Sequence, residues 1–350
     1  MSRFSSALIN LALVVCSTLV ALLLGEAAVR VSQYARFSVS VFEFDNRGPL
    51  VADTQLGWRA MPNYRREGTW RDSAGGEYAL SMSTDARGFR VFGDVSAEKP
   101  KILVIGDSYT HAIETSDGQA YFHAMAEALP FEFFVYGAGG YGTLQEYLAL
   151  AEYWDLIDPD IVLIQYCGND FSNNLEAYEA VDLANNNGLR RPYLGDNGEI
   201  YHSIAREQKS LWAFANEYSR LLAALLFRWE AITRQPPTQD ELAIVRAEAI
   251  AITDRILGLI KKQTGEVPVY AFSTGSNPGV YDVFQELSVA NDIVFIEGVA
   301  QALDEAERSG LVGRVADGAH WSPLGHKEIA NPLIDFFRIV DGDGAAERVR

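Results

Sequence analysis

Residues 101–108, KILVIGDS, form an unbroken apolar run that ends in Gly106-Asp107-Ser108. A run with no polar alternation has no face to turn to water, so it predicts a strand buried on both sides, with a tight turn after it. Working outward, runs of the same texture occur at 131–136, 161–166, 267–272 and 292–296. Between them, apolar residues repeat every three or four positions at 119–129, 143–156, 241–262, 299–309 and 323–339, which predicts helices. Strands that alternate with helices predict an α/β fold with a central parallel sheet and helices on both faces.

The flanking segments differ in texture. Residues 4–25, FSSALINLALVVCSTLVALLLG, carry no charge, and 7–25 are long enough to span about 30 Å of hydrocarbon as a helix. A cleaved signal peptide has a shorter apolar core, so the expectation is an uncleaved single-pass anchor within residues 1–30. The catalytic part is expected on the extracytoplasmic (periplasmic) side. Residues 31–98 form a stalk and a small β-rich lead-in, with turn positions at Asp85 and Gly88. Residues 99–345 form the main domain. The block 171–239 interrupts its alternation with a hairpin around Asp196-Asn197-Gly198 and a helix near 211–232. That helix is expected to pack over the sheet edge or the site. The block serves either substrate selection or a purely structural purpose.

The formal net charge of −18 repels phosphate backbones and anionic head groups alike, which argues against nucleic-acid partners and against membrane binding by charge. Of the two cysteines, Cys16 lies in the apolar N-terminal stretch and Cys167 follows the third core strand, so no disulfide is expected between them. No C-x-x-C pair and no His/Cys cluster marks a metal site.

Ligands of a parallel sheet bind beyond the carboxyl ends of its strands. Four segments converge there: Gly106-Asp107-Ser108, the glycine-rich loop 137–142, Gly168-Asn169-Asp170 and Asp317-Gly318-Ala319-His320. Ser108 is either a helix cap or, given a base, a nucleophile. His320 is the candidate base, because Asp317 three residues earlier can accept from its Nδ1–H and leave Nε2 for the serine proton. Oxyanion donors are expected from the backbone N–H of Ser108, from Gly140 and from the side-chain amide of Asn169, which alternatively closes a turn. His111 is assigned to a supporting or surface position, His326 to helix-start packing, and His123 and His202 to no role. Asp107 and Asp170 are expected to fix loops through backbone hydrogen bonds. Tyr141 either packs on its helix or lines the pocket.

These blocks resemble the SGNH/GDSL hydrolases. IGDSYT is similar to the family's first block, with Tyr109 where Leu or Phe is frequent. GAGGYGTLQ is similar to the second and places the family glycine on Gly140, with Val135 where many members carry Asn. GND places the family asparagine on Asn169, and DGAHWSPLGHKEIA places the acid on Asp317 and the base on His320. The resemblance runs from Lys101 to the final helix. It implies a three-layer α/β/α domain, esterase or acyl-transfer chemistry, and no cofactor or metal. The leading expectation is a serine esterase that cleaves an O-acyl ester on a cell-envelope carbohydrate or lipid. The alternatives are an O-acyltransferase acting on an exported polysaccharide, and a non-catalytic envelope scaffold.

Overall fold

The computed structural model describes residues 3–37, 49–181, 189–204, 218–233 and 237–342. The chain divides into two compact units, Met1–Gly48 with Glu207–Pro236 and Pro49–Arg206 with Pro237–Arg350. In chain order, α1 (Arg3–Phe37) is followed by five short strands, β1 (Leu50–Asp53), β2 (Gly57–Ala60), β3 (Arg65–Arg71), β4 (Glu77–Ser83) and β5 (Val91–Phe92). The first βα alternation is β6 (Lys101–Gly106), α2 (Ser108–His111), α3 (Tyr121–Ala128), β7 (Glu132–Gly137), α4 (Thr143–Ile157) and β8 (Ile161–Tyr166). Next come α5 (Asp170–Asn174), α6 (Glu176–Val181), the pair β9 (Arg191–Leu194) and β10 (Ile200–Ser203), and α7 (Arg220–Thr233). The chain then completes its alternation with α8 (Gln239–Thr264), β11 (Val269–Ser273), α9 (Pro278–Ala290), β12 (Val294–Phe295), α10 (Val299–Arg308) and α11 (Pro323–Gly342).

The second unit is built on one six-stranded sheet in the order β12-β11-β8-β6-β7-β5. Its central strands run parallel, as the apolar runs predict. Successive residues of β6 serve opposite faces. Leu103 and Ile105 join Phe134, Tyr136, Ala149 and Leu257 on one side, while Ile102 and Val104 join Phe122, Phe133, Leu333 and Phe337 on the other. The result is three layers, helix, sheet and helix. Each large apolar side chain buried this way contributes about 1.5–3 kcal/mol.

Two features go beyond the sequence pattern. β5 pairs antiparallel with β7, so the sheet is mixed and the lead-in supplies its edge strand. The helix α9 lies between β11 and β12 where the strand–helix reading assigns nothing. Its start is a Pro at the first turn, capped by Asn277, whose side chain accepts from Gly279 N–H. The hairpin read from Asp196-Asn197-Gly198 is present, with Gly198 at a positive φ of 84°.

The first unit holds α1 and α7. Residues Ile9–Ser32 of α1 are long and apolar enough to cross a membrane, a description that a signal sequence also meets. Of the helix expected at 211–232, residues 211–217 lie outside the described residues. Its remainder, α7, belongs to the unit built on α1.

Candidate active site

The parallel register brings Gly106 of β6 beside Gly137 of β7, and Ile105 beside Ile164 of β8, so three strands end at the same edge. α2 closes directly on that edge. A Cβ on Gly137 would lie 2.8 Å from both Asp107 O and His111 N, so only glycine lets the turn approach this closely. Asp107 caps α2, its Oδ1 accepting from Tyr109 N–H at 3.0 Å. Asp170 accepts from Cys167 N–H at 2.8 Å. Both carboxylates hold loops through backbone bonds, as expected.

Ser108 opens α2 with its side chain toward the last loop of the sheet. His320 Nε2 lies 2.8 Å from Ser108 Oγ, and His320 Nδ1 lies 2.5 Å from Asp317 Oδ2. With Nδ1–H donating to Asp317, Nε2 is left to accept from the serine hydroxyl. The other carboxylate oxygen, Asp317 Oδ1, accepts from Ala319 N–H at 2.7 Å and His320 N–H at 3.0 Å, so the acid shapes the turn that carries the base. Tyr109 covers the imidazole, its ring centroid 5.0 Å from that of His320, and its hydroxyl donates to Ala319 O at 3.1 Å. The residue that departs from the common first block therefore packs on the base.

Burial alone would raise the Asp317 carboxyl, but the hydrogen bond and charge of His320 and the two backbone donors hold it below the usual carboxylate range. Burial alone would lower His320. The Asp317 hydrogen bond and the negative charges of Glu114, Asp317 and Asp107 outweigh it and raise the imidazole to about 9. Glu114 and Asp107 are themselves buried, and burial pushes both carboxyls up. Glu114, Asp317 and His320 bring one ligand atom each within 4.8 Å of one another. Glu114 and Asp317 thus supply negative charge beside the base.

The glycine loop is held from further away. Gly140 has a positive φ of 77°, a conformation suited to glycine. The carbonyl of Gly139 accepts from the indole Nε1–H of Trp58 at 3.0 Å. The carbonyl of Gly140 accepts from Arg191 at 2.8 Å and from Asn173 Nδ2 at 3.2 Å. Arg191 stacks over Trp58, its guanidinium carbon 4.6 Å from the ring centroid, and pairs with Glu179. Asn169 donates from Nδ2 to Tyr141 O at 3.2 Å, which ties the third block to the second. Tyr141 is fully buried, and its hydroxyl donates to Trp58 O at 2.7 Å, so it braces the loop.

His111 is buried beneath this loop rather than at the surface. Its Nδ1 accepts from Gly139 N–H at 3.3 Å, and burial together with the Arg90 charge lowers it to about 3, which keeps it neutral. Arg90, from the lead-in, donates to the carbonyls of His111, Ala112 and Thr115 and so closes the far end of α2. Trp58, Arg90, Glu114 and Arg191 are all absent from the sequence-derived site. Only Arg90, set in the apolar Phe89-Arg90-Val91, carries a local hint of burial. His326 is buried at the start of α11, its Nδ1 accepting from Tyr121 N–H at 3.4 Å, in line with a packing role.

Solved structures of similar fold include a lipase/acylhydrolase from Enterococcus faecalis, 15% identical, covering 70% of this chain and 96% of that chain with a TM-score of 0.39. They also include a psychrotrophic esterase from Pseudoalteromonas sp., 13% identical, covering 69% and 97% with a TM-score of 0.38. A third is an acetylxylan esterase from Geobacillus stearothermophilus, 13% identical, covering 69% and 94% with a TM-score of 0.37. None of the curated proteins matches the chain. The family model of the GDSL-like lipase/acylhydrolases matches residues 102–333, most of the second unit and all four blocks. The chain belongs to the GDSL-like lipase/acylhydrolase family, and it is an ester hydrolase.

Proposed function

We propose that the chain cleaves an O-acyl ester through an acyl-Ser108 intermediate. The observation that carries this reading is the unbroken chain of hydrogen bonds from Asp317 through His320 to Ser108. Ser108 Oγ attacks the ester carbonyl carbon while His320 Nε2 takes the hydroxyl proton. The tetrahedral intermediate collapses as the imidazolium returns that proton to the leaving alcohol. Water, deprotonated by the same nitrogen, then attacks the acyl carbon and releases the acid and Ser108. Asp317 stabilises the imidazolium in both steps.

The oxyanion is met by the N–H of Ser108, the N–H of Gly140 and the amide of Asn169. A trans peptide directs its C=O and N–H to opposite sides. The Trp58 indole, by holding the Gly139 carbonyl, therefore turns the Gly140 N–H of the same peptide the other way. One hydrogen of Asn169 Nδ2 is engaged by Tyr141 O, which fixes the amide plane. Arg191 and Asn173 hold the next peptide.

We take α1 as an uncleaved anchor, with the catalytic unit on the extracytoplasmic side. The substrate class, an acyl ester on a cell-envelope carbohydrate or lipid, follows from that placement. The test is hydrolysis of p-nitrophenyl acetate by the full chain in detergent, beside its Ser108→Ala variant. Turnover that vanishes in the variant supports the reading. Equal turnover in both overturns the assignment of Ser108. A single burst without turnover replaces hydrolysis by transfer to an acceptor alcohol.

A further inference from the structure

The apolar residues of α7 follow a helical pattern that its neighbours do not fill. Leu221, Leu225, Trp229 and Ile232 are spaced by four, four and three residues, which sets them on one side of a helix. The stripe begins in contact with α1, where Leu221 sits over Gly25: a Cβ there would lie 2.9 Å from Leu221 Cδ2. It then runs off uncovered, Leu225 being 55% exposed, Trp229 69% and Ile232 81%. Phe227, also exposed, lies on the opposite side and is not part of the stripe.

The start of α7 is pinned to one level of α1. The Glu26 carboxylate accepts from Ser219 Oγ at 2.9 Å, Arg220 N–H at 3.0 Å and Leu221 N–H at 2.9 Å, and pairs with Arg30 at 2.6 Å. A carboxylate on the free N–H groups of a helix start satisfies donors that have no partner within the helix. Glu26 is also the first charged residue after the charge-free stretch 4–25. With α1 in a membrane, this residue marks the boundary between hydrocarbon and head groups. The N-terminus of α7 is thereby fixed at that boundary.

We propose that α7 is a second membrane-contacting element, an amphipathic helix whose Leu225–Trp229–Ile232 face lies in the bilayer interface beside the exit of α1. The proposal rests on the reading of α1 as a membrane span. It commits to lipid because the exposed stripe continues the apolar surface of α1 from a start fixed at the membrane boundary. Ile9–Leu24 are exposed along their whole length, and the α7 stripe begins one residue beyond them. Trp229 is a residue type that favours the head-group level, and the exposed Arg228 at the edge of the stripe can reach the phosphates by extending its chain. A helix of 14 residues covers about 21 Å, enough to lie in the interface and too short to cross it. The anchor would then hold the protein at two points. That resists rotation and tilt of the span, which a single helix does not.

The test uses the full chain with Cys16→Ser and Cys167→Ser, reconstituted in phosphatidylcholine vesicles with or without brominated acyl chains. A polarity-sensitive fluorophore is attached to single cysteines introduced as Leu225→Cys, Trp229→Cys, Ile232→Cys, Arg228→Cys and, within the span, Leu13→Cys. Retained ester hydrolysis shows that each labelled protein is folded. The expected result is blue-shifted emission and loss of intensity to bromine at 225, 229 and 232, with a weaker loss at 228. Water-like emission at 225, 229 and 232 with quenching at 13 overturns the proposal and leaves the anchor in place. Blue-shifted emission without bromine quenching assigns the stripe to a protein surface or a second copy and also overturns it. Absence of quenching at 13 removes the membrane span itself, and the proposal with it.

Discussion

The Asp317–His320 turn and the Gly139–Tyr141 loop face the same serine, yet they are held by opposite means. The turn is held chiefly from within: one carboxylate, three residues from the base, accepts from the imidazole and from two backbone N–H groups, and Tyr109 and Arg314 add donors to Ala319 O. The loop borrows nearly all its support. Trp58 comes from the lead-in, Arg191 from the hairpin, and Asn169 and Asn173 from the segment after β8. The turn carries charge that must change during the reaction, and a local carboxylate responds to that change at short range. The loop carries only dipoles that must stay still, and stiffness comes from many distant attachments.

Substitutions can break that comparison, beginning with the groups that react. Ser108→Ala and His320→Ala should each lower kcat by roughly 10,000-fold or more, with an unchanged circular dichroism spectrum. A variant that keeps near wild-type turnover removes that residue from the mechanism. On the loop side, Asn169→Ala should lower kcat/KM by roughly 100-fold, about 3 kcal/mol of transition-state stabilisation. An unaffected kcat/KM would leave Asn169 as a loop tie alone.

Trp58→Phe sharpens the contrast. It keeps a ring for Arg191 to stack on and deletes the indole N–H that donates to Gly139 O. Turnover should fall by roughly tenfold through kcat, with KM little changed, because the loss is felt by the oxyanion and not by the bound ester. A change confined to KM would show that Trp58 shapes the pocket and does not orient the donor.

The smallest effect belongs to Glu114. The base must be neutral to accept the serine proton, so activity rises with pH through the His320 titration, which neighbouring negative charge raises to about 9. Glu114→Gln removes one such charge and should move the acid limb of kcat/KM to lower pH, with the plateau retained. A limb that stays put would mean that Glu114 contributes no charge to the base in the working enzyme.

This difference in construction also decides what is legible in the sequence. The D-x-x-H turn is written within four residues, and Ser108 follows an apolar run that can only be a buried strand. The parallel part of the sheet is readable for the same reason, since each of its strands declares itself locally. Trp58 and Arg191 bear no such mark, because their partners lie 81 and 51 residues away and the lead-in and hairpin look ordinary when read alone. His111 reads as one helical turn past the serine, and only the close approach of β7 to α2 buries it. The helix α9 hides behind Ser276-Asn277-Pro278-Gly279, a cluster that suggests a loop and in fact caps and starts a helix. The edge strand β5 has two residues, too few for any period to show.

β5 has a consequence for the order in which the molecule is made. It and Trp58 leave the ribosome before any strand of the parallel sheet, yet their partners Phe134–Val135 and Gly139 come some forty and eighty residues later. Until then β5 has no strand to pair with, and pairing across such gaps is slow. Once docked, β5 shields the β7 edge against other strands, and Trp58 holds the Gly139 carbonyl. A newly made chain would therefore reach its full hydrolytic power only after the lead-in has met a glycine loop made some eighty residues later.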